Sequence, residues 1–169
     1  MKKSLLGSFL LLFTTFSFAQ TLNEAIKTQA QIWVNHLNLV SEREYELEED
    51  SEWDYVYKYH LANKVVVMSD LNGDGDQDAV VLAEYCEKTS CHLTTTTMEL
   101  MIFQGRPNNQ FVHVETKSLP GVGATVKVYP SKLIEVKCTS FSETDAHCCP
   151  SEEIIKRYRL NAGKLYSVR

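Results

Sequence analysis

Basic residues are in short supply: 17 Lys and Arg stand against 22 Asp and Glu among 169 residues, a formal charge of -5. A chain of that sign is repelled by phosphate backbones and anionic bilayers, so nucleic acid and charged membrane surfaces are not expected as partners. Glycine and proline are few as well. Seven Gly and four Pro beside 44% hydrophobic and 23% charged residues exclude a low-complexity or disordered chain. Membrane-length apolar runs are missing after the first twenty residues, which excludes an integral membrane protein with helical spans. Cys-x-x-Cys does not occur, nor do the Gly-x-Ser-x-Gly and Ser-x-x-Lys nucleophile contexts, and the five histidines, His36, His60, His92, His113 and His147, form no spaced ligand pair. No repeat of propeller or solenoid length is present. The reading is therefore of a non-enzymatic chain.

What is present begins with an export signal. Lys2 and Lys3 precede the apolar run Leu5 to Phe18, which ends in Ser17-Phe18-Ala19, a small-x-small pattern that signal peptidases cut. Residues 1–19 are read as a signal peptide and 20–169 as one exported domain, periplasmic or secreted. No Cys follows Ala19, which argues against a lipid anchor. Loss of Lys2 and Lys3 leaves 15 basic residues against 22 acidic ones, so the formal charge moves from -5 to -7. At that length a core can be buried without help, and in an oxidising compartment cysteines are read first as disulfides.

Residues 22–40 set Leu22, Ala25, Ile26, Ile32, Trp33, Leu37 and Val40 at mostly three- and four-residue intervals, with Thr21 or Asn23 as cap, and predict an amphipathic helix. Glu42 to Asp54 carries eight carboxylates against one Arg and is read as a solvated loop. Within it Glu46, Glu48, Glu49 and Asp50 are the candidate contacts for a basic protein partner, because clustered charge steers association.

From Tyr55 the period is two, and strands are expected. Val65 to Met68 and Ala79 to Ala83 read as interior strands, Leu93 to Phe103 as a long strand, and Ala124 to Tyr129 with Lys132 to Lys137 as a hairpin. Ile154 to Leu160 and Lys164 to Val168 form a last hairpin. The fold class is α+β: an N-terminal amphipathic helix packed on a mainly antiparallel sheet of seven to nine strands.

The most specific motif is Asp70-Leu71-Asn72-Gly73-Asp74-Gly75-Asp76-Gln77-Asp78. Calcium takes six to eight hard oxygens, and a turn can supply them from side chains one, three, five and nine and the carbonyl of position seven. Asp70, Asn72, Asp74 and Asp78 fit the side-chain roles, Asp76 the carbonyl role, and Gly75 the sharp turn. The loop resembles those of EF-hands, dockerins and FG-GAP repeats over about 20 residues. Val81 stands where an EF-hand has its bidentate Glu, and apolar strands flank the loop, so the FG-GAP form is the nearer one and calcium is the cofactor expected, as a structural clip. The same residues also suit a plain turn.

Cys86 and Cys91 enclose a hairpin-sized loop and invite a local disulfide. Cys138 lies ten and eleven residues before Cys148 and Cys149, and a bridge to either closes a loop worth roughly 2 to 3 kcal/mol in the chain-entropy model. Five cysteines leave one thiol over, expected at Cys148 or Cys149, and cross-pairing of the two clusters is not excluded by sequence. Cys138, His147, Cys148 and Cys149 are also soft-metal ligand types, although adjacent cysteines chelate one tetrahedral ion poorly. The signal peptide, the single DLNGDG loop, a Cys shortly after it and the late segment HCCPSEEIIKRYRLNAGKL resemble the LppP/LprE-type exported bacterial lipoproteins, of unknown role. That resemblance implies a fold relative rather than an activity, and this chain differs in lacking the lipidated Cys.

Overall fold

The computed structural model describes residues 20–47, 56, 58–146 and 148–169, with side chains of 45–47 left aside. Helix α1 spans Leu22–Leu47. Among the described residues eight strands follow: β1 Tyr59–Ser69, β2 Asp78–Glu87, β3 Thr97–Arg106, β4 Gln110–Ser118, β5 Val122–Val128, β6 Ile134–Ser140, β7 Glu152–Asn161 and β8 Lys164–Val168.

The start of α1 follows from Thr21-x-x-Glu24. The Thr21 amide and hydroxyl both donate to Glu24 Oε2, at 3.0 and 2.9 Å, while the Glu24 amide donates to Thr21 Oγ1. This capping box satisfies donors that have no partner inside the helix. Beyond Val40, where the apolar period fails, α1 continues for two more turns. Glu, Arg and Leu are good helix formers, and the segment is braced laterally: Asn38 Oδ1 accepts the Tyr59 amide at 2.8 Å, and Glu42 pairs with Lys58. The expected loop over 42–54 is thus helical through Leu47. Glu46 lies in that last turn, and Glu48, Glu49 and Asp50 lie outside the described residues, as do residues 1–19, read from sequence as a signal peptide, and His147.

The strands form two antiparallel meanders, β1-β2-β3-β4 and β5-β6-β7-β8, rather than the single sheet expected. The break falls where β4 hands over to β5. Leu119 turns into the core, and Gly121 passes so close to β6 that a Cβ there would lie 2.4 Å from the Thr139 carbonyl oxygen. Alternation along β2 and β3 then makes two cores. Val80, Leu82, Met98, Leu100 and Ile102 face the second sheet and meet Ile134, Val136, Tyr158 and Leu165. Ala79, Val81, Ala83, Tyr85, Met101 and Phe103 face the other way, onto Ala25, Ile26 and Ala30 of α1. The first sheet is the middle layer of three, so β2 and β3 are apolar on both faces.

Two strand assignments shift. Val65 to Met68 lies on an edge strand, with Val65, Val66 and Met68 exposed, because β1 pairs only with β2. The threonine run does not begin a strand: Leu93–Thr95 is a single 3-10 turn, in which Thr95 and Thr96 hydroxyls donate to the His92 carbonyl, and β3 starts at Thr97. Threonine hydroxyls compete with ladder bonds in this way.

Candidate cation loop and the cysteine pairs

The Asp70–Asp78 loop links β1 to β2 and is anchored at both ends by burial. Leu71 inserts into the core between the two sheets, and Asp78, the first residue of β2, is fully buried. A lone carboxylate there would be costly. Its Oδ2 accepts the Leu71 amide at 2.9 Å and its Oδ1 the Gly105 amide at 3.0 Å. Burial raises the pKa of Asp78, and the amides of Gly105, Leu71 and Asn72 act against that rise. Gly105 lies in β3. A Cβ on it would sit 2.3 Å from the Gln77 carbonyl oxygen, so only glycine lets the strand approach the loop and offer its amide.

The exposed part of the loop folds onto its own side chains. Asp70 accepts the amides of Gly73 through Oδ1, at 2.5 Å, and of Gly75 through Oδ2, at 3.2 Å. Asn72 Oδ1 accepts the Asp74 amide and Asp74 Oδ1 the Asp76 amide, each at 2.9 Å. Gly73 and Gly75 both adopt the left-handed region, with φ of 88° and 92°. Asp74 has its pKa lowered, first by the Asp76 amide, then by the Asn72 side chain, with Arg106 and Lys132 adding positive potential.

Lys132 comes from the other sheet. It occupies the β5–β6 turn with φ of 61°, its amide donates to the Tyr129 carbonyl, and its ammonium reaches 3.9 Å from Asp70 Oδ1. The same nitrogen lies 2.7 Å from where a Cβ on Gly73 would be. A cationic group thus already stands over the first half of the loop.

The donor set suits a hard cation in part. A carboxylate or amide oxygen has two acceptor positions, so the amide bonds to Asp70, Asn72 and Asp74, and the Asn72 side-chain amide on Asp74 Oδ2 at 2.6 Å, leave acceptor capacity on these side chains. Asp78 differs in being fully buried, with one oxygen held by the Leu71 amide and the other by the Gly105 amide. Asp76 is half-buried, and its side chain takes no part in the bonds described above. Among the described residues no group of three or more His, Cys, Asp or Glu is gathered in metal-holding geometry.

The cysteines divide differently from the sequence expectation. Cys86 and Cys91 are paired as expected, with Cα atoms 5.2 Å apart. Cys148 pairs with its neighbour Cys149, and Cys138 is free and buried. The bridge expected from Cys138 to one of the vicinal pair is absent for a positional reason. Cys138 continues the inward row Ile134, Val136 of β6, whereas Cys148 and Cys149 lie exposed in the β6–β7 loop. That loop is organised by Asp145, which accepts the amides of Ser142 and Ser151, at 2.9 and 2.8 Å, and the Ser151 hydroxyl at 2.7 Å. These bonds, the Ser142 amide first, hold the Asp145 pKa down at about 2. Burial raises the Cys138 thiol, which makes it less reactive.

Sequence reasoning missed a third group. Glu99 and Tyr85 are fully buried on the helix side of the first sheet. The available signal was one acid placed inside the apolar run Met98 to Phe103.

Compared with protein-family models, with curated proteins and with solved structures, the chain finds no match.

Proposed function

We propose that the chain is an exported, non-enzymatic binding protein whose loop between β1 and β2 takes up calcium as a structural clip. The observation that carries this reading is the loop itself. Its amides are gathered onto Asp70, Asn72 and Asp74, its two ends are tied inward by Leu71 and Asp78, and a positive group, Lys132, is drawn to its acidic face. Asp70, Asn72 and Asp74 would hold the ion through side chains and Asp76 through its carbonyl, while Asp78 serves as the strut beneath them. Calcium would there neutralise repulsion between carboxylates and join the loop more firmly to the sandwich.

Two of the histidines are engaged within the fold: His60 Nδ1 contacts the Cys86 carbonyl at 3.1 Å and His113 Nε2 contacts Thr116 Oγ1 at 2.7 Å. The disulfide at Cys86–Cys91 closes a short loop and adds roughly 2 kcal/mol in the chain-entropy model, as suits an oxidising compartment. The test is a calcium titration of residues 20–169 in competition with a chromophoric chelator. One equivalent should bind to the native sequence and none to Asp70→Ala combined with Asp74→Ala. Equal binding by both proteins would overturn the assignment.

A second reading, an inhibitor or immunity protein for a basic exported enzyme, is favoured by the acidic end of α1. Exposed Glu42 and Glu44 lie near a helix C-terminus whose last turn has no basic residue, against the preference set by the helix dipole. Charge reversal at Glu46, Glu48, Glu49 and Asp50 should then abolish capture of that partner from a periplasmic extract. Retained capture would remove the acidic segment from the reading.

A further inference from the structure

Three buried polar atoms have no hydrogen-bond partner among the described residues: Trp33 Nε1, Tyr85 Oη and Glu99 Oε2. Orphans of this kind are rare in native proteins, and each one costs free energy. These three are not scattered. All three residues line one cavity of about 270 Å³ between α1 and the first sheet, together with Gln29, Ile32 and Met101.

The fold explains the convergence. Ala83 pairs with Glu99 and Tyr85 with Thr97, so Tyr85 and Glu99 are diagonal neighbours on the face of the sheet that α1 covers. Trp33 closes the cavity from the helix. Glu99 Oε1 is held by the Ser118 hydroxyl at 2.6 Å, which fixes the carboxyl group and leaves Oε2 as the unpartnered atom.

The chemistry of these groups restricts what could satisfy them. An indole N–H only donates, a phenol does both, and a carboxylate oxygen accepts. An organic cation would suit Glu99 and leave Trp33 without an acceptor. An anion would suit Trp33 and meet Glu99 with no Lys or Arg among the lining residues. A hydroxyl group accepts from Trp33 and donates to Glu99 through a single atom, and the aromatic faces and Met101 would cover the C–H surface of its carrier. The volume is roughly nine times the ~30 Å³ that one water occupies in the liquid, which gives room for several waters or for one small ligand that displaces them.

We propose that this cavity is a binding site for a small, uncharged, polyhydroxylated ligand, of the size of one sugar ring or a short polyol. Trp33, Tyr85 and Glu99 are its polar contacts. Burial raises the pKa of Glu99, which suits an uncharged partner. The proposal gives the binding role proposed above a ligand class, and it stands apart from the calcium loop, which forms the β1–β2 connection rather than any part of the cavity wall.

The experiment is a nuclear magnetic resonance titration of the ¹⁵N-labelled chain, residues 20–169, read at the Trp33 indole N–H, which a Trp33→Phe sample assigns. The probes are glucose, N-acetylglucosamine and glycerol, with butylammonium and acetate as charged comparators. At least one hydroxylated probe should shift the Trp33 signal saturably. Tyr85→Phe, which removes an unpartnered hydroxyl and keeps the ring, should weaken that binding at least tenfold while leaving the melting temperature equal or higher. Glu99→Gln should also weaken it. Three results would each overturn the proposal: no saturable shift with any hydroxylated probe, saturation by butylammonium or acetate alone, or binding unchanged in both variants. None of them bears on calcium uptake, which is measured separately, so the two readings fail independently.

Discussion

Asp78→Ala is expected to be the most damaging single substitution in the acidic loop, although Asp78 is the member least able to touch a solvent-borne ion. Its carboxylate is fully buried and accepts the amides of Leu71 and Gly105 at 2.9 and 3.0 Å, with the Asn72 amide also directed at it. Hydrogen bonds to a charged acceptor contribute about 1.5 to 3 kcal/mol each, and truncation leaves buried donors without partners. Relief of the burial cost that raises the Asp78 pKa returns part of this loss, so the net expected cost is about 3 to 5 kcal/mol. That is a large share of the roughly 5 to 15 kcal/mol by which domains are stable. Urea denaturation followed by far-ultraviolet circular dichroism is the assay. At a slope of about 2 kcal/mol per molar the midpoint should fall by roughly 2 M. Asp76→Ala is the internal control, and should stay within about 0.5 kcal/mol in the absence of calcium. Equal, small losses for the two variants would refute the strut assignment.

Other consequences are equally open to measurement. Gly105→Ala places a Cβ 2.3 Å from the Gln77 carbonyl oxygen and should cost about 1 to 3 kcal/mol by the same denaturation; a cost below about 0.5 kcal/mol would mean the loop does not pack on β3 as described. Under non-reducing conditions iodoacetamide should label no cysteine in the folded chain and one, Cys138, after denaturation. Recovery of a peptide linking Cys138 to Cys148 or Cys149 would contradict that. Asp145, held at about 2 against its ordinary 3.8, binds its proton less readily in the folded chain than in the unfolded one. Its contribution is therefore present above the ordinary value and lost as pH falls through about 2. Asp145→Asn should flatten the loss of stability between pH 4 and 2, and an unchanged acid limb would count against the loop assignment.

The parts of this fold that sequence shows directly are those set by local chemistry. Thr21, one of two caps the sequence offers, marks the start of α1, the period of two read from Tyr55 marks strands, the first of which begins at Tyr59, and the five-residue spacing of Cys86 and Cys91 marks a local bridge. What sequence conceals depends on neighbours. Nothing local says that the strands divide into two sheets, because the division rests on Leu119 turning inward and Gly121 passing against Thr139. The end of α1 is hidden for the same reason, since Asn38 and Glu42 find their partners at Tyr59 and Lys58 across a connection. Loop length alone pairs Cys138 with Cys148 or Cys149, whereas its inward side of β6 keeps it from the exposed pair. In the acidic loop the residue types were visible, but the separate task of Asp78 depends on an amide from β3. Glu99 escaped notice because a single acid in an apolar strand has no pattern; only its placement beside Tyr85 and under Trp33 gives it meaning.

The central claim is that the loop between β1 and β2 is a calcium clip, and thermal unfolding of residues 20–169 in calcium and in EDTA tests it most directly. An ion that binds only the folded chain, supplied at a hundred times its dissociation constant, adds about 2.7 kcal/mol. For a domain of this size that is a rise in melting temperature of roughly 5 to 10 °C. The predicted result is a rise of that order with calcium, abolished by Asp74→Ala and not reproduced by an equal concentration of sodium chloride. Superimposable melting curves in calcium and in EDTA would contradict the account.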